Sequence, residues 1–447
     1  MKKQHLISKL ADTIKQSAKI NSSLFNEYGV KRGLCNDDGS SVLVGLTKIG
    51  NVVGYERMED GTLKPIPGKL YYRGYDVEDL VHGFMNEKRF GFEEVVYLLL
   101  SGNLPDQEEL REFNELLYYK MQLTLELTWS IVHLPGNDIM NILARSVLDM
   151  YIFDEKADDL SCENQMRQSV ELISRFPTAV AYTYSVQCQK TNEDSLNIYH
   201  PIPDCSFAEN LLFMLKKEYS DLEARILDLL LILQAEHGGG DNSTFTVRVT
   251  SSSMTDIYSS IAACIGSLKG LLNEGVDIQV VDMFNHLKEN ISNWKDIEEI
   301  DAYFARMLNK EVYNKTGHIY GICHAIYTIS DPRVLLLRGL ARELAKEKDR
   351  CSEFEFLELL EERAIETFSR VKNNGEKVSS NIDFYSGFVY DMIGLPTKLY
   401  TPLFAIARMA GWIAHRNEEL YFTDNHIFCP AYKNVLDKKS YVPIDAR

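Results

Sequence analysis

The chain has 447 residues, 45% hydrophobic and 25% charged, which excludes a disordered or fibrous protein and gives ample length for more than one domain. Lys and Arg total 48 against 65 Asp and Glu, a formal charge of −17 at pH 7. So acidic a surface repels phosphate backbones and anionic membranes, so neither nucleic acid nor membrane is expected as a partner, and any anionic small substrate needs a locally basic pocket.

In chain order, a helix is expected over residues 5–20. Residues 42–75 then show alternating apolar side chains, several glycines and an Asp60-Gly61 turn signal, the texture of a short strand-and-hairpin segment. From Glu78 onward apolar residues recur three and four apart, predicting helices over 92–100, 138–153, 222–234, 256–272 and 353–371. In the last, Leu360, Ala364 and Phe368 share a core face. Thr401-Pro402 predicts a helix start, an N-cap hydroxyl followed by Pro at the first helical position.

Apolar runs such as 229–233 are too short to cross a bilayer, and the N-terminal residues lack the apolar stretch of a secretion signal. Eight cysteines lie scattered at 35, 162, 188, 205, 264, 323, 351 and 429, with no C-x-x-C pair. This spacing predicts no zinc ribbon, redox dithiol or disulfide framework, and each cysteine is expected to be a small buried hydrophobe. The expectation is a cytoplasmic protein without a metal site.

Three segments interrupt the helical texture. Glu236-His237-Gly238-Gly239-Gly240-Asp241 follows a helix rather than a strand and lacks dinucleotide-loop spacing; it reads as either a binding turn or a glycine-terminated helix end. His324, in a Gly-flanked turn nine residues before Arg333, suits a polarising donor beside a carboxylate clamp, or a structural His near a surface Arg. Asp383 sits among apolar and aromatic neighbours, which raises a carboxyl pKa and suits a general base; a helix N-cap is the competing role.

Together these segments resemble the citrate synthase family. The resemblance rests on E-H-G-x-x-x-x-S-T-F-T from Glu236 to Thr246, G-x-x-H-A-x-Y with D-P-R from Gly321 to Arg333, and the long stretch from Asn381 to Trp412. The earlier Leu70-Tyr71-Tyr72-Arg73-Gly74-Tyr75-Asp76 is similar to the family's L-x-Y-R-G-Y-D. The resemblance implies an all-α fold with a short N-terminal β segment. It implies a large helical domain over 1–277 and 392–447, and a small one over 278–391 carrying His324 and Asp383. It further implies a homodimer whose tail after Trp412 reaches the partner subunit.

The activity implied is condensation of an acyl-CoA, acetyl-CoA or similar, with a 2-oxo acid, oxaloacetate or similar, releasing CoA. No permanently bound cofactor is implied; the coenzyme A thioester is a substrate. By position, Asp383 would take the α-proton, His324 would polarise the ketone, and His237, Arg333 and Arg408 would hold carboxylates. Several positions depart from the family pattern. Asn273 stands where the family has its thioester-polarising His, and Glu274 replaces a glycine beside it. Cys323 replaces the glycine before His324, and Cys429 replaces an Arg before Pro430. An Asn amide donates a hydrogen bond but cannot shuttle a proton, and a neutral thiol does not replace a guanidinium. A second expectation is therefore a catalytically impaired or silent paralogue with a metabolite-binding, regulatory or structural role.

Overall fold

A β-hairpin, along whose second strand buried and more exposed residues alternate over 66–72, makes the only sheet among the described residues. β1 (Gly50–Arg57) pairs antiparallel with β2 (Leu63–Tyr72), from Gly50 opposite Tyr72 to Arg57 opposite Leu63, and β2 continues onto a two-residue β3 (Tyr75–Asp76). A register shift between Val53 and Tyr55 marks an irregularity. The strands begin later than the expected residue 42, and Gly61 of the turn signal lies outside the described residues. The computed structural model describes residues 2–36, 40–60, 62–133, 136–192, 195–270, 276–372, 377–422 and 426–446.

The chain divides into two units, Met1–Thr47 and Lys48–Arg447. The first contains the helix Lys2–Ser17, a short helix Ser23–Glu27 and an isolated bridge from Cys35 to Ser41. The N-terminal helix thus starts and ends earlier than periodicity placed it, and its Leu6, Ile7, Leu10 and Ile14 are exposed.

The second unit holds the hairpin and a helical body. Helices at Phe92–Ser101, Ile139–Ile152, Asp221–Gln234, Ile257–Leu268 and Cys351–Lys372 match the expected ones within a few residues. Polar caps fix several starts: Ser206 with Glu209, and Ser220 with Glu223, form reciprocal capping boxes. The Asp221–Gln234 helix is apolar almost all round because it is surrounded; it packs on Phe207–Lys216, Pro332–Glu347 and Tyr400–Leu420. Its C-terminal end delivers the Glu236–Asp241 turn into the middle of the protein. Among the described residues, no helix is long and apolar enough to cross a membrane.

Two local expectations are corrected. Thr401 is not an N-cap: a 3-10 turn at Thr397–Leu399 runs directly into a helix Tyr400–Leu420, so Thr401 and Pro402 lie inside its first turn. The turn supplies the opening geometry that a capping side chain otherwise provides. The cysteines are also less buried than expected. Cys264 alone is fully buried; Cys35, Cys162, Cys351 and Cys429 are exposed and Cys188, Cys205 and Cys323 lie between. Most occupy helix starts, helix ends or loops, where packing does not enclose them.

Candidate active site

His237 is held by what surrounds its neighbour Glu236. The Glu236 carboxylate, fully buried, accepts from His415 Nε2 at 2.8 Å and from the Gly238 N–H at 2.5 Å. Burial pushes its pKa up, but His415 and Arg408 more than offset this and hold it below the ordinary carboxylate value. His415 Nδ1 accepts from Arg248, which also pairs with Glu419 at 3.0 Å and with Glu418. The Tyr72 hydroxyl at the end of β2 donates to the carbonyls of Ile232 and Glu236. Gly238 turns the chain at φ +84°, a conformation natural to glycine. The His237 ring therefore projects from a turn braced by hairpin and helix. Burial, then Arg333 and His324, lower its pKa well below the ordinary value, so the ring is neutral, and among the described residues its Nε2 has no hydrogen-bond partner.

His324 and Asp383 sit on two segments zipped together. Ile322 and Ser380 form an antiparallel bridge, with the Cys323 N–H donating to Ser379 O and the Asn381 N–H to Gly321 O, each at 2.9 Å. His324 Nδ1 accepts from the backbone N–H groups of Ile326 and Tyr327, each at 3.0 Å. Two donors on Nδ1 place the proton of the neutral ring on Nε2, making that edge a donor. Burial, and then Arg333, lower the His324 pKa to about 4, which keeps the ring neutral at physiological pH. Cys323 adopts φ +81°, a left-handed geometry costly for a residue with a Cβ.

Asp383 opens the helix Asp383–Ile393 as its first residue, not as its N-cap; the Asn381 side chain accepts from the Asp383 N–H at 3.0 Å. The capping expectation for Asp383 is thus set aside, and its carboxylate is free of that duty. Among the described residues no donor is hydrogen-bonded to it. Burial raises its pKa to about 6, with Arg333 and Arg408 pulling the other way.

The two guanidinium groups differ. Arg333 is buried and forked onto Asp331, Nε to Oδ1 at 3.0 Å and Nη2 to Oδ2 at 2.7 Å. Asp331 itself caps the helix Pro332–Glu347. Arg408, also buried, donates from Nε to the Gln234 carbonyl at 2.8 Å, and among the described residues its Nη1 has no hydrogen-bond partner. A buried guanidinium with an unmet donor is costly unless an anion meets it.

All five residues line one cavity of about 190 Å³. The His237 and His324 rings lie edge to face with centroids 5.1 Å apart, and Tyr327 stacks on His324 at 4.5 Å. Two neutral imidazoles, two buried cations and a raised carboxylate converge there, a set suited to holding a carboxylated ketone beside a base. Asn273 and Glu274 lie outside the described residues. Cys323 is not itself a lining residue, but it precedes His324 and its carbonyl accepts from Nδ2 of the lining residue Asn381 at 3.3 Å; Cys429 lies on an exposed tail and is not among the lining residues.

Residues 39–431 match the family described as citrate synthase, C-terminal domain. The chain belongs to the citrate synthase family. A citrate synthase of Acidithiobacillus ferridurans is 34% identical over 393 residues, covering 85% of this chain and 93% of its own. A 2-methylcitrate synthase of Shewanella oneidensis is 29% identical, covering 85% and 92%. Among solved structures, the citrate synthase of Thermoplasma acidophilum, in ternary complex with carboxymethyl coenzyme A and oxaloacetate, superposes with a TM-score of 0.75 at 26% identity, covering 91% of this chain and 97% of that one. The citrate synthase of Pyrobaculum aerophilum gives 0.74 at 27%, covering 91% and 94%.

Asp241, Asp277, Asn381, Thr401 and Phe404 also line the cavity, and sequence reasoning missed all of them as site residues. Asp241 lay within a singled-out motif, and its charge beside His237 was the available signal. Phe404 packs under Arg408, its ring centroid 4.6 Å from the guanidinium carbon, but apolar helical periodicity disguised it.

Proposed function

We propose that this chain, as a citrate synthase family member, condenses acetyl-CoA with oxaloacetate and hydrolyses the resulting thioester to release CoA. The observation that carries this is the convergence of Asp383, His324, Arg333, Arg408 and His237 on one cavity. The carboxylates of the 2-oxo acid meet Arg408 Nη1, the edge of Arg333 not taken by Asp331, and His237 Nε2. The His324 Nε2–H donates to the ketone oxygen, drawing electron density from the carbon to be attacked. Asp383 removes a proton from the methyl group of acetyl-CoA; the new carbon–carbon bond forms as that carbon attacks the ketone, whose oxygen takes a proton. Water then cleaves the thioester and CoA leaves.

The large domain comprises 1–277 and 392–447, and the small domain 278–391 carries His324 and Asp383. Closure of one on the other would exclude water before proton transfer. The functional unit is a homodimer in the cytoplasm. Support comes from the apolar tail: Ile427, Tyr432, Leu436, Tyr441 and Ile444 are all exposed in the single chain, a surface suited to a second copy. The departures at Cys323 and Cys429 leave the base, the ketone donor and both buried guanidiniums in place, which favours an enzyme over a silent paralogue. The test is CoA release, followed with a thiol reagent, from acetyl-CoA and oxaloacetate. Turnover above background is expected; none with these or any related acyl-CoA and 2-oxo acid would overturn the proposal.

A further inference from the structure

The cavity wall carries an acid that the proposed reaction does not use. Asp241 Oδ2 lies 3.5 Å from Arg408 Nη1, close enough for an ion pair but too far for a hydrogen bond. The same oxygen accepts from the Thr244 N–H at 3.1 Å, from Thr244 Oγ1 at 3.3 Å and from Ser243 Oγ, so capping the helix Asn242–Ser251 fixes it in place. Arg333 offers the contrast. Its Asp331 partner is bound through two short hydrogen bonds and stands behind it as a support. Asp241 instead borders the cavity, facing a guanidinium N–H that has no hydrogen-bond acceptor among the described residues.

The lining contains two guanidiniums, Arg333 and Arg408, against three carboxyls, Asp241, Asp277 and Asp383, while both histidines are held neutral. Burial raises the Asp241 pKa, but Arg408 and the capping donors outweigh burial and hold it ionised. A dianionic acid therefore meets a wall whose cations are already matched by anions. One of those anions, Asp241, stands beside Arg408 Nη1.

We propose that Asp241 is a specificity-determining residue: it competes with the distal carboxylate of the 2-oxo acid for Arg408, narrowing the preference for dicarboxylic over monocarboxylic 2-oxo acids. This rests on the assignment of the cavity to a 2-oxo acid. With Asp241 ionised, Arg408 is partly satisfied in the empty site, and a second carboxylate is admitted against like charge. An acid whose distal end is uncharged escapes that repulsion.

Asp241→Asn tests this without removing the helix cap, since Asn caps as well as Asp. Asp241→Ser is a second cap-competent variant. Dissociation constants for oxaloacetate and for 2-oxobutanoate, measured by calorimetry on the full chain, give the discrimination ratio without requiring turnover. The expected result is about tenfold tighter oxaloacetate binding in both variants, the scale of one recovered charge-assisted hydrogen bond, with little change for 2-oxobutanoate. Equal shifts for both acids, or no shift, overturn the proposal, as does absence of binding by either acid. If the ratio is unchanged while CoA release proceeds, only the role of Asp241 falls. If the ratio shifts but no acyl-CoA is turned over, only the assigned reaction falls. A thermal midpoint unchanged in Asp241→Asn shows that the cap survived.

Discussion

Glu236 and His415 face one another at 2.8 Å with neither side chain reaching solvent, one residue before the His237 ring enters the cavity. The pair determines where that ring can lie, because the Gly238 N–H is bound to the same Glu236 oxygen.

Removing one partner should be costly. His415→Ala leaves the Glu236 carboxylate buried beside an empty space, and a loss of roughly 3–5 kcal/mol is expected from guanidinium unfolding. Glu236 is held below its ordinary pKa, so its contribution to stability is present above the unfolded value near 4.5 and is lost as pH falls further. The difference between His415→Ala and the parent should accordingly shrink in acid.

Asp383→Asn should reduce CoA release by about 10²–10⁴ while leaving oxaloacetate affinity within a few-fold, since the amide cannot accept the α-proton. Parallel loss of affinity would mean that Asp383 holds substrate rather than abstracting a proton.

The acid limb of kcat/KM should belong to Asp383 rather than to a histidine. A base raised to about 6 is ionised at pH 7 and progressively protonated below 6, so activity should fall tenfold per pH unit beneath that point. His324, at about 4, stays neutral throughout that range and contributes no second step above pH 5.

Cys323→Gly should stabilise the chain by about 1 kcal/mol, because glycine adopts the φ of +81° found there without strain. A higher thermal midpoint with unchanged pH dependence is expected; a lower midpoint would show that side-chain contacts of Cys323 outweigh the backbone cost.

Gly411→Ala should act at a distance. A Cβ there would lie 2.4 Å from the Ala235 carbonyl oxygen and 2.5 Å from Glu236 Oε2, and the backbone oxygen cannot simply rotate away. A loss of about 1–3 kcal/mol is expected, with weakened oxaloacetate binding as the His237 turn is displaced. Unaltered affinity would separate the turn from the binding site.

The helical body was legible because long amphipathic segments such as Cys351–Lys372 announce themselves by period, and the site was legible where motifs are dense in Gly, His and Arg. Other features depended on contacts between distant segments. Asp383 and an N-cap Asp look alike in sequence; only the Asn381 side chain, bonded to the Asp383 N–H, separates them. The start at Tyr400 depends on a preceding 3-10 turn that leaves no residue signature as strong as Thr-Pro. Asp241 reads locally as a helix cap, which it is, and its second face appears only when a helix far along the chain brings Arg408 beside it.

The bridge between Ile322 and Ser380 has a consequence for how such a protein changes over time. His324 and Asp383, the proposed ketone donor and base, ride on one clasp, so their mutual spacing is set mainly by that bridge rather than by the wall that carries His237, Asp241 and Arg408. Mutations in that opposite wall can alter which acid is admitted while proton transfer retains its geometry. Arg333 remains on the side of the clasp, but the distal part of substrate choice lies on the opposite wall, where drift need not disturb proton transfer.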